Sequence, residues 1–336
     1  VLSRRFVFPA AALVALTLAS CSSAAGDSVS PDTASDSASD STSSFAAVTV
    51  DNCGFDLTVD TAPSRIVTIK STSTEMLLAL GLGDRIIGTA FPDGDVPEQW
   101  ASDAADIPLI SAFAPSQEAV LALEPDFVYG GWESNFTAEA AGERTVLQDF
   151  GIGSYVSPAA CKEDGYQPEQ LTFDEVFAEI EEAGAIFGAV DVAADVVAEQ
   201  KDQLAEVSAD TRGLSALWYS SGTDTPYVGA GIGAPQMMLD ALGLDNIAAD
   251  VDDTWTSLSW EAIVDANPDV IVLVDASWNT ADSKIAALEA SPVTAGLTAV
   301  QNGSYLRIPF AAGETGVRNV EATADLATQL AALDLP

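Results

Sequence analysis

"RIVTIKSTSTEMLLALG", residues 65–81, joins two kinds of chain without a linker. Ile66, Val67 and Ile69 are β-branched, and a short apolar run of this type reads as a buried strand. Glu75 to Leu80 then carries helix formers and ends in Gly81, a helix stop. Between them stand Lys70 and four hydroxyl residues, Ser71 to Thr74. They fall where a strand's carboxyl end meets a helix N-terminus. Unpaired backbone N–H groups there favour an anion, and an ammonium and hydroxyls add donors. Capping by Ser73 or Thr74, with Lys70 in water, is the alternative reading.

The same grammar occurs twice. Met76-Leu77-Leu78-Ala79-Leu80-Gly81-Leu82 is echoed by Met238-Leu239-Asp240-Ala241-Leu242-Gly243-Leu244. Ser116-Gln117-Glu118-Ala119-Val120, followed by Pro125-Asp126, is echoed by Ser259-Trp260-Glu261-Ala262-Ile263, followed by Pro268-Asp269. Each half thus has a helix with a glycine stop, a Ser-capped helix, a proline turn and a strand, in one order. Strand-length apolar runs lie at 65–70, 85–90, 126–130, 152–157, 214–220, 270–274 and 304–308. Helical stretches alternate with them, the signature of α/β units with parallel sheets. Residues 191–210 have helical spacing without Gly or Pro and predict a stiff helical connection. The expected architecture is α/β: two Rossmann-like lobes joined by a single long helix, with a cleft between them. The divisions are 48–188 for the first lobe, 189–210 for the connecting helix and 211–336 for the second lobe.

Residues 1–20 read as an export signal, with Arg4 and Arg5 ahead of the apolar Phe6 to Leu18. Leu18-Ala19-Ser20-Cys21 matches the lipoprotein cleavage motif, which makes Cys21 the lipidated first residue of the mature chain. Residues 21–47, rich in Ser, Thr, Ala and Asp, read as a flexible tether. The expected location is the outer face of the cytoplasmic membrane. Cys53 and Cys161 remain, and outside the cytoplasm such a pair oxidises when it can meet. The whole chain has 12 basic and 51 acidic residues, a net charge of −39. That balance excludes nucleic-acid binding and docking on anionic lipid. It also means that an anionic ligand would need local cations.

The chain has no histidine, which removes histidine-dependent triads, the HExxH zinc motif and His-ligated haem. It shows no GxSxG elbow, P-loop or GxGxxG. Cys53 and Cys161 alone make a poor metal site. No catalytic residue, metal ligand or cofactor is expected. Aromatic residues beyond strand ends carry more information, because ligands of open α/β sheets bind there. Trp100, Phe113, Trp132, Phe136, Trp255, Trp278 and Phe310 are so placed, with the "GGWESNF" loop (130–136) the leading candidate because its two glycines expose backbone.

"PSRIVTI…TEMLLALGL.DRIIG" (63–88) and "S.EAVLAL.PDFV" (116–128) resemble the substrate-binding proteins of ABC importers, specifically the ferric-siderophore and cobalamin type. The likeness covers residues 53–336. It implies a bound small molecule, an ABC permease and its ATPase as partners, a monomeric receptor, and docking through one acid per lobe. The matching acids are Glu118 and Asp240. "YVSPAACKEDGY" (155–166) and "YGGWESNF" further resemble a subgroup proposed to import a deazaflavin-cofactor precursor with a phospholactyl tail. The family usually has an uncharged pair where Lys70-Ser71 stands, which favours an anionic ligand here. The candidate ligand-binding set is Lys70, Ser71, Thr72, Ser73, Phe91, Phe113, Trp132, Asn135, Phe136, Tyr219, Trp255, Trp278, Phe310 and Arg318. The ligand is expected to be a deazaflavin precursor, a ferric siderophore or a cobalamin-like corrinoid. A secreted carboxylate- or metal-dependent hydrolase is the rival class.

Overall fold

The computed structural model describes residues 45–163 and 165–335. The expected signal segment, Cys21 and most of the tether lie outside the described residues. The chain opens with an antiparallel hairpin, β1 (Val48–Asn52) and β2 (Phe55–Val59). Cys53 and Gly54 form its turn, both with positive φ (53° and 74°), which suits the right-handed twist of a two-residue hairpin. Cys53 is disulfide-bonded to Cys161, 108 residues later. A loop of that length is worth roughly 4–5 kcal/mol in the chain-entropy account. The buried Arg144 adds a second tie, donating to the Asn52 carbonyl (2.7 Å), Asn52 Oδ1 (2.8 Å) and the Ser154 carbonyl (2.9 Å).

The first lobe is built on β3 (Ile66–Ile69), β4 (Ile86–Ala90), β5 (Leu109–Ser111), β6 (Phe127–Gly130) and β7 (Gly153–Val156). They form one parallel sheet in the order β5-β4-β3-β6-β7. β3, the central strand, is buried at every position. One face packs on the helix Phe173–Phe187, where Phe187 meets Phe127 edge-on and stacks on Tyr129. The chain is helical again over Val190–Ala205, then non-helical until the second lobe.

The second lobe contains β8 (Ser215–Ser221), β9 (Tyr227–Gly229), β10 (Asp245–Asn246), β11 (Trp255–Ser257), β12 (Val270–Asp275) and β13 (Tyr305–Pro309). β8, β12, β13 and β10 pair in parallel. β9 and β11 return antiparallel along the edge, which hydropathy did not predict because each is only three residues long. The sequence echo is an echo of hydrogen bonds. Ser116 caps Ala119 N–H at 3.2 Å, and Ser259 caps Ala262 N–H at 3.2 Å. Asp126 accepts from the Ser64 amide and hydroxyl (2.9 and 2.8 Å), and Asp269 accepts from those of Ser215 at the same distances. In both lobes the aspartate that starts one strand clamps the entry to its parallel neighbour.

Glu179 is 5% exposed between the first sheet and its covering helix, where Tyr129 Oη donates to it at 3.3 Å. Burial pushes its carboxyl up from 4.5 to about 7. A carboxyl raised in the folded state binds its proton more tightly there than in the unfolded chain. Its contribution is therefore complete below pH 4.5 and is lost as pH rises through about 7. Urea denaturation of Glu179→Gln should show a stability curve flatter than the parent's across this window, by about 2–3 kcal/mol. Parallel curves would exclude a buried, titrating Glu179.

Candidate functional site

From β3 the chain moves to one side of the sheet, then crosses to β6 on the other. That topological switch opens a crevice beyond the carboxyl ends of β3 and β6. Lys70 follows β3, and Gly131 and Trp132 follow β6. Gly131 N–H donates to the Ile69 carbonyl at 2.9 Å, and Lys70 N–H to the Ala90 carbonyl at 3.0 Å. A Cβ on Gly131 would fall 2.6 Å from Thr72 Oγ1 and 2.9 Å from Lys70 Cβ. The glycine thus admits the Lys70 turn, rather than offering backbone to a ligand.

Lys70 has φ 85° and ψ 153°, a conformation that is essentially glycine's. Phe91, at the end of the neighbouring β4, also has positive φ (52°). Such residues cost of order 1–3 kcal/mol each and persist where the surroundings over-determine them. Here the determinant is the Lys70 ammonium. It is paired with Asp93, both side chains being 1% exposed. It also lies 3.6 Å from the ring centre of Trp132, 4.2 Å from that of Phe91 and 5.3 Å from that of Phe310. Asp93 Oδ2 accepts the Ser71 N–H (3.2 Å), and Ser71 Oγ accepts the Asp93 N–H (2.8 Å). At the start of the helix Ser71–Ala79, where the sequence suggests an anion seat, stands the chain's own Asp93 carboxylate. Lys70 and Ser71 are spent on that contact. Ser73 is internal too, its Oγ donating to the Ile69 carbonyl at 2.8 Å.

Between the lobes lies a cavity of about 490 Å³, within the range of small-molecule sites. Thr72, Trp132, Glu133, Lys162 and Ala160 line it from the first lobe, and Tyr227, Asp253, Trp255, Phe310 and Glu314 from the second. Tyr227 and Trp255, brought together by the β9–β11 pair, stack at 5.9 Å with rings 15° apart. Polar contacts beside the cavity cross from lobe to lobe. Trp132 Nε1 donates to Glu314 Oε2 at 3.0 Å, and Lys162 Nζ reaches Asp253 Oδ1 and Thr254 Oγ1, each at 3.3 Å. Arg318 approaches Glu75 at 3.4 Å. Burial raises the Glu75 carboxyl to about 7 against the pull of Arg318.

Of the sequence-derived candidates, Thr72, Trp132, Trp255 and Phe310 line the cavity. Phe91 sits behind Trp132, edge to face at 5.6 Å. Phe113 (74% exposed) packs on Phe91, and Trp278 (60% exposed) on Phe310. The other ten candidates do not line the cavity: besides Lys70, Ser71 and Arg318, engaged as described, and Phe91, Phe113 and Trp278, four are internal. Ser73 is buried beneath the helix start, and Asn135 caps its own loop by accepting the Trp132 N–H at 2.9 Å. Phe136 is buried in the first lobe's core, and Tyr219 packs on Trp260 in the second lobe's core. Trp100 is packed against the main core rather than the cleft. Sequence reading missed Asp93, Tyr227, Lys162, Asp253 and Glu314. Nothing marks Asp93 or Glu314 among 51 acids, whereas Lys162 follows Cys161 and could have been placed by the disulfide.

A cleft between two similar α/β lobes, walled by aromatic rings, is the architecture of a solute-binding protein. The chain belongs to the periplasmic binding protein family, whose description matches residues 66–312. It is 28% identical over 243 residues to the uncharacterized ABC transporter substrate-binding lipoprotein YvrC of Bacillus subtilis, covering 68% of this chain and 69% of that one. It is 29% identical over 281 residues to a cobalamin-binding protein of Halobacterium salinarum, covering 79% and 68%. Among solved structures it resembles an ABC-type Fe3+-hydroxamate transport system protein from Saccharomonospora viridis (TM-score 0.72, 27% identity, 85% of this chain and 99% of that). A periplasmic binding protein from Veillonella parvula is similarly close (TM-score 0.75, 26% identity, 84% and 97%).

Removing the carboxylate of Asp93 strands a buried ammonium. Asp93→Ala should therefore lower stability by roughly 3–5 kcal/mol in chemical denaturation. Pairing it with Lys70→Met should restore most of the loss, since both charges then leave together. Additive losses in that cycle would show that the two groups do not interact.

Proposed function

We propose that this chain is a lipid-anchored, monomeric receptor that captures a compact metal chelate outside the cytoplasm and delivers it to an ABC permease and its ATPase. The observation that carries the reading is the aromatic-walled cavity of about 490 Å³ between the lobes. Its size suits a ferric hydroxamate better than a complete corrinoid with its nucleotide loop. The Saccharomonospora viridis neighbour, named for Fe3+-hydroxamate transport, supports the same class. The deazaflavin reading needs a free cation for a phospholactyl tail, and Asp93 takes the one at Lys70. Binding is the whole activity in this reading.

For permease docking, the internal repeat points to Glu118 and Glu261 rather than to Glu118 and Asp240. Glu118 and Glu261 occupy the same exposed place, two residues after the capping serine of equivalent helices. Asp240 is held by Gln236 Nε2 (2.6 Å) of its own helix and by Gln170 Nε2 (2.9 Å) from the first lobe, an acid already engaged within the protein.

Tryptophan fluorescence of the soluble chain, titrated with a ferric trihydroxamate, haem and cobalamin, tests the reading. Saturable quenching by the hydroxamate chelate, reduced in Trp132→Phe and Trp255→Phe, is expected. In cells, Glu118→Ala with Glu261→Ala should abolish uptake while leaving that titration unchanged. Silence towards every ligand, or turnover of a chromogenic ester, would contradict the receptor reading.

A further inference from the structure

Every cation at the cleft already has a carboxylate of its own. Lys70 is paired with Asp93, Lys162 with Asp253 and Arg318 with Glu75. The converse does not hold. Glu314 and Glu133 line the cavity, and neither has a cation within ion-pair distance among the described residues. Glu314 Oε2 accepts the indole N–H of Trp132 at 3.0 Å, and Glu133 Oε2 accepts the backbone N–H of Lys162 at 2.6 Å. Each is therefore oriented by one neutral donor, with its second carboxylate oxygen given no partner among the described residues.

We infer that the cleft selects a solute carrying net positive charge, with Glu314 and Glu133 as its specificity-determining carboxylates. This rests on the receptor reading and names the ligand's charge class. A second property of the walls points the same way. Trp132, Tyr227, Trp255 and Phe310 line the cavity, and aromatic rings are walls that suit a cation better than an anion. The net charge of −39 adds a long-range field of the same sign, which raises the local concentration of cationic solutes. Burial also pushes the Glu314 carboxyl above its usual range, against the pull of the Trp132 N–H and the Lys70 charge. The positive charge can reside on a pendant ammonium of the ligand or be spread over a metal complex.

One chelate scaffold in three charge states tests this. A linear ferric trihydroxamate with a free primary ammonium has net charge +1, its N-acetyl derivative is neutral, and its N-succinyl derivative is −1. Calorimetric titration of the soluble chain should give affinities falling in that order, by about tenfold per step. Glu314→Gln keeps an oxygen for the Trp132 indole and removes only the charge. It should bring the ammonium and acetyl forms to within about threefold of each other, while the acetyl form binds as before. Asp195→Asn, on the exposed side of the helix Val190–Ala205, should leave all three affinities unchanged. Equal affinities, or preference for the succinyl form, would overturn the inference while leaving a chelate receptor in place. A parallel pair, a cationic rhodamine ester and anionic fluorescein, separates the two ideas. If no chelate binds but the rhodamine is preferred in a Glu314-dependent manner, the chelate reading fails and the charge preference stands. Indifference in both series overturns the charge preference.

Discussion

The ammonium of Lys70 has left water, and much of the first lobe's crevice is arranged around that fact. A buried ammonium without a partner costs several kcal/mol, so its surroundings must supply charge, donors and acceptors in fixed places. Asp93 supplies the charge, the Ser71 amide and hydroxyl fix Asp93, and the rings of Trp132 and Phe91 cover what remains. The strained backbone at Lys70 and Phe91, and the glycine at 131 that lets the two strand ends approach, follow from the same demand. Trp132 carries the arrangement outward. One face of its ring meets the ammonium, and its indole N–H reaches Glu314 of the second lobe. A local ion pair is thereby connected to the contact between the lobes.

This internal neutralisation decides the electrostatic character of the cleft. A helix N-terminus beside a lysine would ordinarily be an anion site. With Asp93 in that position, the positive potential is cancelled inside the protein and does not project into the cavity. The remaining charged groups of the wall are carboxylates or paired cations. The strong acidity of the chain, at −39, and the composition of its binding cavity are then one design rather than two unrelated facts.

Much of the fold was legible because it was written twice. The echo of Met76–Leu82 in Met238–Leu244 and of Ser116–Asp126 in Ser259–Asp269 reports elements that hydrogen-bond alike in each lobe. The long apolar strands were visible for the usual reason: burial on both faces leaves a continuous hydrophobic run. β5, β9 and β11 were not, since strands of three residues carry no periodicity. The site divides in the same way. Lys70 announced itself by standing between a strand and a helix, and Trp132 by its double glycine. Asp93 could not be singled out, because its role comes from a tertiary approach across 22 residues of sequence, from the Ser71 amide. Phe136 and Tyr219 illustrate the opposite error: an aromatic near a strand end is as readily core as cleft wall.

The central claim is that Lys70 is sealed and neutralised within the protein, and side-chain NMR of the soluble chain tests it most directly. The Lys70 ε-methylene resonances should lie strongly upfield, shifted by the rings of Trp132 and Phe91, and should return towards ordinary lysine values in Trp132→Ala. Added inorganic phosphate should leave them in place. Ordinary lysine shifts that move on titration with phosphate would show a solvated cation at an open anion site, and would contradict the account.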